Sequence, residues 1–226
     1  MQILENFNFT SQLLVPFYCI NFSEQYFTPN SFQYYGQPFP EQLNKAVIKR
    51  KAEYLAGRIC ATRALDKLGL KHQIIGTSKS RAPLWPVKAI GSISHTTDLA
   101  IAIVMHANQA KGIGIDIEKK MPDELEDNLN NQILREDEIL VFQRLGKQLS
   151  SPLSIIFSAK ESIYKALYAS VGEFFGFKCA KLLDFNQNML TFQIMDTLSS
   201  AVPAGTKLNV YYQVTSEYIV TECLFC

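Results

Sequence analysis

Apolar positions in this chain change period several times, and each change predicts an element. Residues 1–40 are rich in aromatics but broken by Pro16, Pro29, Pro38 and Pro40, which predicts short strands and turns laid onto a core. From about Glu41 to Leu68 the period turns helical. Val47, Leu55, Ile59, Leu65 and Leu68 fall on one side, and Lys49, Arg50, Lys51, Arg58 and Arg63 give a basic solvent side. Gly69 stands where such a helix would close in a left-handed residue. The stretch SKSRAPLWP (78–86) has two prolines and no period, and reads as a loop. GSISH (91–95) predicts a strand with a polar tip, Thr96-Thr97-Asp98 a turn, and LAIAIVM (99–105) a strongly β-prone run.

After a turn near Ala107–Lys111 comes GIGIDIEKK, residues 112–120. Successive side chains of a strand point to opposite faces. Ile113, Ile115 and Ile117 therefore share a core-building face, and Gly112, Gly114, Asp116 and Glu118 share the other. MPDELEDNLNNQ predicts a loop and helix start, and ILREDEILVFQRLG an amphipathic helix ending at Gly146. Ser151-Pro152 offers an N-cap with proline at the first helical position, opening a helix that runs to about Tyr168. The remainder, 175–226, holds four β-like runs: KLLDF, MLTFQIM, KLNVYYQV and EYIVTECLF.

Composition narrows the classes. With 226 residues, 47% hydrophobic and 19% charged, the chain is ordinary for a soluble globular protein of one large or two small domains. A net charge of +1 and no long basic run argue against a nucleic-acid partner. No Lys or Arg precedes Lys45, so a secretory leader is not expected, and LLVPFYCI is too short to span a bilayer. Five cysteines are an odd number, and the one C-x-x-C pair, Cys223 and Cys226, has no second pair to complete a zinc site, so neither a disulfide framework nor zinc is expected. Cys60 and Cys179 are expected to be small buried apolar residues, in a reducing cytoplasm.

Candidate chemistry begins with Asp116 and Glu118. Two carboxylates on one strand face repel unless a proton, a cation or basic side chains intervene. Only oxygen ligands are offered, which suits Mg²⁺ or Mn²⁺; a solvated acidic edge explains the pair equally well. In FSAKESIYKAL (157–167), Glu161 and Lys165 are i, i+4 neighbours on one helix face. Ser158 and Glu161 also match a capping box, although a helix start at Ser151 would leave Glu161 mid-helix. Arg58, Arg81 and His95 are dispersed cations of the kind that grip phosphate, and each alone also fits a structural role. Lys160 is equally ambiguous. Together they describe a metal-bridged phosphate site, where positioning and electrostatics dominate. A Mg²⁺-dependent phosphohydrolase or nuclease would draw on the same groups.

GIGIDIE (112–118) and FSAKESIYKAL (157–167) closely resemble the two signatures of the 4′-phosphopantetheinyl transferases of the larger, surfactin-type class. EYLAGRICA (53–61), RAPLWP (81–86) and SISH (92–95) resemble the flanking blocks of its enterobactin branch. The resemblance implies transfer of the phosphopantetheine arm of coenzyme A onto a serine of an acyl, peptidyl or aryl carrier protein. It implies an α/β (α+β) fold of two similar subdomains related by a pseudo-twofold, here 1–113 and 114–226, with coenzyme A between them. By motif position it assigns Asp116, Glu118 and Glu161 to Mg²⁺, and Lys165 and Lys160 to the pyrophosphate. Arg58, Arg81, Ser94 and His95 go to the nucleotide end, with Arg81 and His95 near the 3′-phosphate. Glu161 is also implied as the base that activates the serine, with Asp116 and Lys165 beside it in the catalytic group.

Residues 119–146 occupy the family's carrier-docking place, where Arg144 or Lys147 would assist. A monomer is expected, and the enterobactin-like blocks tilt the pathway toward siderophore-type peptide synthesis. Lys88 and Ala169-Ser170 depart from the family pattern, but neither is a proposed metal ligand. A non-catalytic coenzyme A- or carrier-binding protein is the remaining alternative.

Overall fold

Two runs of alternating strands and two long helical stretches become two sheet-and-helix units. The computed structural model describes residues 1, 3, 4 and 9–226, so positions 2 and 5–8 of the expected N-terminal strands and turns lie outside the described residues. The chain divides into units Met1–Asn108 and Gln109–Cys226. The division falls five residues before the expected 113/114, because the strand beginning at Gly112 pairs along its whole length with the C-terminal strand, from Gly112 opposite Phe225 to Lys119 opposite Tyr218.

The first unit contains β1 (Ile3–Leu4), β2 (Phe17–Phe22), α1 (Ser31–Tyr34), α2 (Ile48–Lys67), β3 (Gly76–Thr77), β4 (Pro83–Leu84), β5 (Ala89–His95) and β6 (Leu99–His106). Its main sheet runs β1-β2-β6-β5, antiparallel throughout, and α2 packs on β6, β2 and β5. Leu55, Ala56, Ala61, Ala64 and Leu65 of α2 are fully buried against Ala100, Ala102 and Val104 of β6 in one cluster. Gly69 follows the helix with φ +85°, a conformation that disfavours any side chain.

Two details of the predicted helix are corrected. It begins at Ile48, so Val47 is its N-cap and lies 69% exposed instead of joining the apolar side. Arg58 leaves the basic solvent side and is buried, because its guanidinium finds partners inside the unit. The predicted loop 78–86 carries the short β3–β4 ladder at its base.

The second unit contains β7 (Gly112–Lys119), α3 (Asp123–Ile133), α4 (Ile139–Gly146), α5 (Pro152–Val171), β8 (Ala180–Phe185), β9 (Met189–Ile194), β10 (Lys207–Val214) and β11 (Tyr218–Phe225). Its sheet runs β7-β11-β10-β9-β8, again antiparallel, and α5 packs chiefly on β7, β11 and β10. Each unit is thus an antiparallel sheet covered by one 20-residue helix, the α+β form of the expected fold. Leu153, Ile155, Ile156, Ile163 and Leu167 of α5 are completely buried, each contributing about 1.5–3 kcal/mol.

The face of β7 that meets α5 is the glycine and acid face. A Cβ on Gly112 would stand 1.8 Å from the Ala166 carbonyl oxygen, and one on Gly114 would stand 1.9 Å from that of Ser162. The isoleucines of β7 are buried on the opposite face, as a core-building face should be, and lie outside the cluster around α5.

The predicted helix 133–146 is also corrected. Leu134 and Arg135 are extended, a short 3₁₀ turn follows at Glu136–Glu138, and α4 starts at Ile139. Glu138 accepts a hydrogen bond from the Arg135 amide at 2.7 Å, which closes a capping box and breaks the helix there. Ser151 has φ +55° and makes no side-chain cap. The Glu126 carboxylate of α3 takes that role, accepting from the amides of Leu153 (3.4 Å) and Ser154 (3.0 Å) and from the Ser154 hydroxyl (2.7 Å). All five cysteines are free thiols; Cys60 is buried, whereas Cys179 is partly exposed, against expectation. No helix among the described residues is long and apolar enough to cross a membrane.

Candidate active site

Because α5 lies against the glycines of β7, its polar face reaches the acids farther along the strand. Ser158, Glu161 and Lys165 follow the i, i+3, i+7 spacing of one helix face. Lys165 Nζ donates to Asp116 Oδ1 at 2.7 Å and to the Ile115 carbonyl at 3.1 Å. Ser158 donates to Asp116 Oδ2 at 2.8 Å, so the capping-box reading of Ser158 and Glu161 is excluded, Glu161 being mid-helix.

Glu118 and Glu161 are half-buried. Burial, then the charges of Asp116 and Glu161, pushes the Glu118 carboxyl up to about 7, while Lys165 opposes the rise. Burial also pushes Glu161 up, with Lys165 opposing and Asp116 adding. The charges of Asp116, Glu161 and Lys165 thus act on Glu118, and those of Lys165 and Asp116 on Glu161. A smaller cavity of about 180 Å³ with aromatic walls from Tyr164, Phe174, Phe175 and Phe177 flanks Glu161.

Among the described residues no three His, Cys, Asp or Glu side chains stand together as a ready metal cage, and Asp116 is engaged by Lys165. The donor chemistry nevertheless fits a hard divalent cation. The side chains offer oxygen alone, and burial followed by the charge of Asp116 raises Glu118, a rise that a bound cation would oppose.

Lys160 does not join this group. It is 2% exposed, and its ammonium donates to Glu138 Oε2 and to the Ile133 carbonyl, each at 2.9 Å. Glu138, fully buried, also accepts from the Leu182 amide at 2.6 Å. Burial pulls the Lys160 pKa down and Glu138 opposes it. The pair ties α5 to β8 and to the break before α4. Arg144 pairs with Asp184 at 3.2 Å on the exposed surface.

In the first unit a cavity of about 490 Å³ is lined by Arg50, Tyr54, Arg58, Thr77, Arg81 and His95, among others. Arg58 stacks on the Tyr54 ring at 4.5 Å and donates to Thr77 Oγ1 (2.8 Å), the Gly76 carbonyl (3.1 Å) and the Tyr54 hydroxyl (3.2 Å). Arg50 Nη1 lies 3.0 Å from His95 Nε2. Arg81 sits at the tip of the β3–β4 hairpin with φ +70°, a left-handed conformation that costs of order 1–3 kcal/mol for a residue other than glycine. Hydrogen bonds to Ser78 from the Arg81 and Ala82 amides, each 3.0 Å, hold that turn. Ser94 is buried and does not line the cavity.

The sequence reading missed Arg50 as a cavity residue, although the Arg50, Tyr54, Arg58 spacing of i, i+4, i+8 was there to see. It also missed Thr77, which only the fold brings to Arg58.

A family model for the 4′-phosphopantetheinyl transferase N-terminal domain matches residues 39–105, and one for the 4′-phosphopantetheinyl transferase superfamily matches residues 112–223. The chain belongs to the 4′-phosphopantetheinyl transferase superfamily. As a member it is a transferase that moves the phosphopantetheine arm of coenzyme A onto a carrier protein. The transferase is 34% identical to enterobactin synthase component D of Salmonella typhi over 176 residues, covering 78% of this chain and 73% of that one. It is 31% identical to the Escherichia coli K12 component D over 186 residues, 82% of each chain. It is also 31% identical to the 4′-phosphopantetheinyl transferase PptT of Mycobacterium tuberculosis over 154 residues, 64% of each chain.

Proposed function

We propose that the transferase loads a serine of carrier domains in siderophore-type peptide synthesis, acting as a cytoplasmic monomer. The coenzyme A diphosphate is handled by Asp116, Glu118, Glu161 and Lys165, and the 3′-phosphate end of the nucleotide by the cavity holding Arg81, His95, Arg58 and Arg50. The serine oxygen forms a bond to the phosphorus that carries the pantetheine. The phosphoanhydride bond breaks, and adenosine 3′,5′-bisphosphate leaves with the electron pair. Glu161 accepts the serine proton; burial raises its pKa and makes it a stronger base than an exposed glutamate. Lys165 balances charge on the diphosphate oxygens. Asp116, Glu118 and Glu161 would hold Mg²⁺ or Mn²⁺, which when bound would neutralise the diphosphate.

The observation that carries this reading is the ion pair from Lys165 of α5 to Asp116 of β7, with Glu118 and Glu161 near enough to feel both charges. Carrier docking is assigned to the region of α3 and α4, with Arg144 and Lys147 as candidate contacts. Mass spectrometry of an apo-carrier incubated with the protein, coenzyme A and Mg²⁺ should show a gain of one phosphopantetheine unit, and no gain refutes the proposal. Asp116→Ala and Glu161→Ala should each abolish the gain. Arg81→Ala should weaken coenzyme A binding without unfolding, and equal wild-type affinity for coenzyme A and its 3′-dephospho form would remove the 3′-phosphate role.

A further inference from the structure

We infer that Ser158, supported by Thr221, is a positioning residue that clamps Asp116 Oδ2, so that a divalent cation reaches the carboxylate only at Oδ1, the oxygen that Lys165 engages; this rests on the metal role of Asp116 proposed above. Ser158 and Thr221 are fully buried and Asp116 is 2% exposed, so every polar atom here must find its partner inside the protein. A hydroxyl has a single proton to give, and an ionised carboxylate can only accept. Across the 2.8 Å contact the Ser158 proton therefore points at Asp116 Oδ2.

That direction fixes the rest of the chain. Thr221 Oγ1 lies 3.0 Å from Ser158 Oγ, 2.8 Å from the Ser158 carbonyl and 3.2 Å from Ser162 Oγ. Ser162 gives its own proton to the Ala159 carbonyl at 2.9 Å, so Thr221 is the donor toward α5. Thr221 is also the residue directly opposite Asp116 in the β7–β11 register. The strand that carries the acid and its neighbour in the sheet thus reach the same turn of α5, and the hydroxyls are held in one orientation.

The two oxygens of Asp116 consequently have different tasks. Oδ2 accepts from Ser158 inside the unit, and Oδ1 accepts from Lys165 Nζ at 2.7 Å, so a cation would join or displace that ammonium at Oδ1 alone. A carboxylate held this way is a one-oxygen ligand. Mg²⁺ demands tight octahedral geometry at about 2.0–2.1 Å, whereas Ca²⁺ accepts two oxygens of one carboxylate. Hydrogen bonds that orient a ligand in this manner are generally worth about 10–100-fold in metal affinity. Ser158 therefore acts on both the strength and the selectivity of the cation site without touching the cation.

The test is Mn²⁺ binding to the full chain, followed by electron paramagnetic resonance, with Mg²⁺ and Ca²⁺ as competitors. Melting in EDTA and coenzyme A affinity without metal are measured in parallel. Ser158→Ala should remain folded and bind metal-free coenzyme A within about twofold of the wild type, while its Mn²⁺ affinity falls roughly tenfold or more. Its preference for Mg²⁺ over Ca²⁺ should fall too, because the released carboxylate can present both oxygens. Thr221→Val should give a smaller loss in the same direction. Mn²⁺ affinity of Ser158→Ala within twofold of the wild type overturns the inference. If Ser158→Ala does not fold, unchanged Mn²⁺ affinity and selectivity in Thr221→Val overturn it. A wild-type protein that binds no Mn²⁺ refutes the metal reading itself, a result distinct from equal binding by wild type and variant.

Discussion

Replacing Gly114 by alanine should damage this protein far beyond the size of one methyl group. The added Cβ would meet the Ser162 carbonyl oxygen at 1.9 Å and the Ala166 amide nitrogen at 2.8 Å, both backbone atoms that cannot swing aside. Ordinary contact begins near 3.4 Å, so α5 must move off β7 by about 1.5 Å. Overpacking alone costs about 1–3 kcal/mol. The same movement stretches the 2.7 Å bond from Lys165 to Asp116 and the 2.8 Å bond from Ser158 to Asp116, and separating a buried charge from its partners costs about 3–5 kcal/mol when complete.

A loss of at least ~3 kcal/mol is therefore expected, since partial loss of the pairing adds to the overpacking. Urea unfolding monitored by circular dichroism would measure it. Gly176→Ala is the control, because a Cβ there meets nothing within 4 Å and the backbone is extended; its stability should stay within ~1 kcal/mol of the wild type. Transferase turnover in Gly114→Ala should fall together with stability. A folded Gly114→Ala protein with less than ~1 kcal/mol of destabilisation and normal turnover would refute the close strand–helix approach as the reason for glycine at this position.

In EDTA, stability should fall as pH rises from about 4.5 toward 7. An acid raised in the folded state stabilises it below the ordinary pKa and loses that contribution on ionising at about 7. Glu118→Gln should flatten this slope in melting curves, and an unchanged slope would remove Glu118 as its source. Glu126→Ala should destabilise the protein by about 1–2 kcal/mol through loss of the α5 cap, whereas Ser151→Ala should leave urea midpoints nearly unchanged because that side chain caps nothing. Glu138→Ala leaves the Lys160 ammonium buried without its carboxylate and should cost about 3–5 kcal/mol by denaturation. The double change Lys160→Met, Glu138→Leu should recover part of that loss.

Strands and the two long helices could be read along the chain because period is a property of neighbouring residues. LAIAIVM, GIGIDIE and the four C-terminal runs all form strands near their expected places. The helix around Arg58 and the one around Glu161 also form, each running 20 residues with no proline beyond its first position. Reading failed where a local pattern competes with a distant partner. Arg58 looked solvent-facing among other basic residues, yet Tyr54, Gly76 and Thr77 satisfy it indoors. ILREDEILVFQRLG kept a helical period through a break imposed by Glu138, whose carboxylate serves the Arg135 amide, the Leu182 amide and Lys160 together. Lys160 stands beside Glu161 in the sequence, but the helix turns it about 100° away, into that buried pair.

By itself the sequence determined that Asp116 and Glu118 share a strand face with two glycines, and that Glu161 and Lys165 share a helix face. Alternation by two and by 3.6 leaves no other arrangement once the elements form. Only the tertiary structure decided that these two faces meet, that the glycines are the surface on which the helix rests, and that Ser158 and Lys165 divide the two oxygens of Asp116 between them. Those contacts join residues 42 and 49 positions apart, and the Thr221 contact spans 63. Such pairings depend on sheet register and on backbone approach at sub-ångström precision, quantities that arise from packing the whole unit and that no local pattern carries.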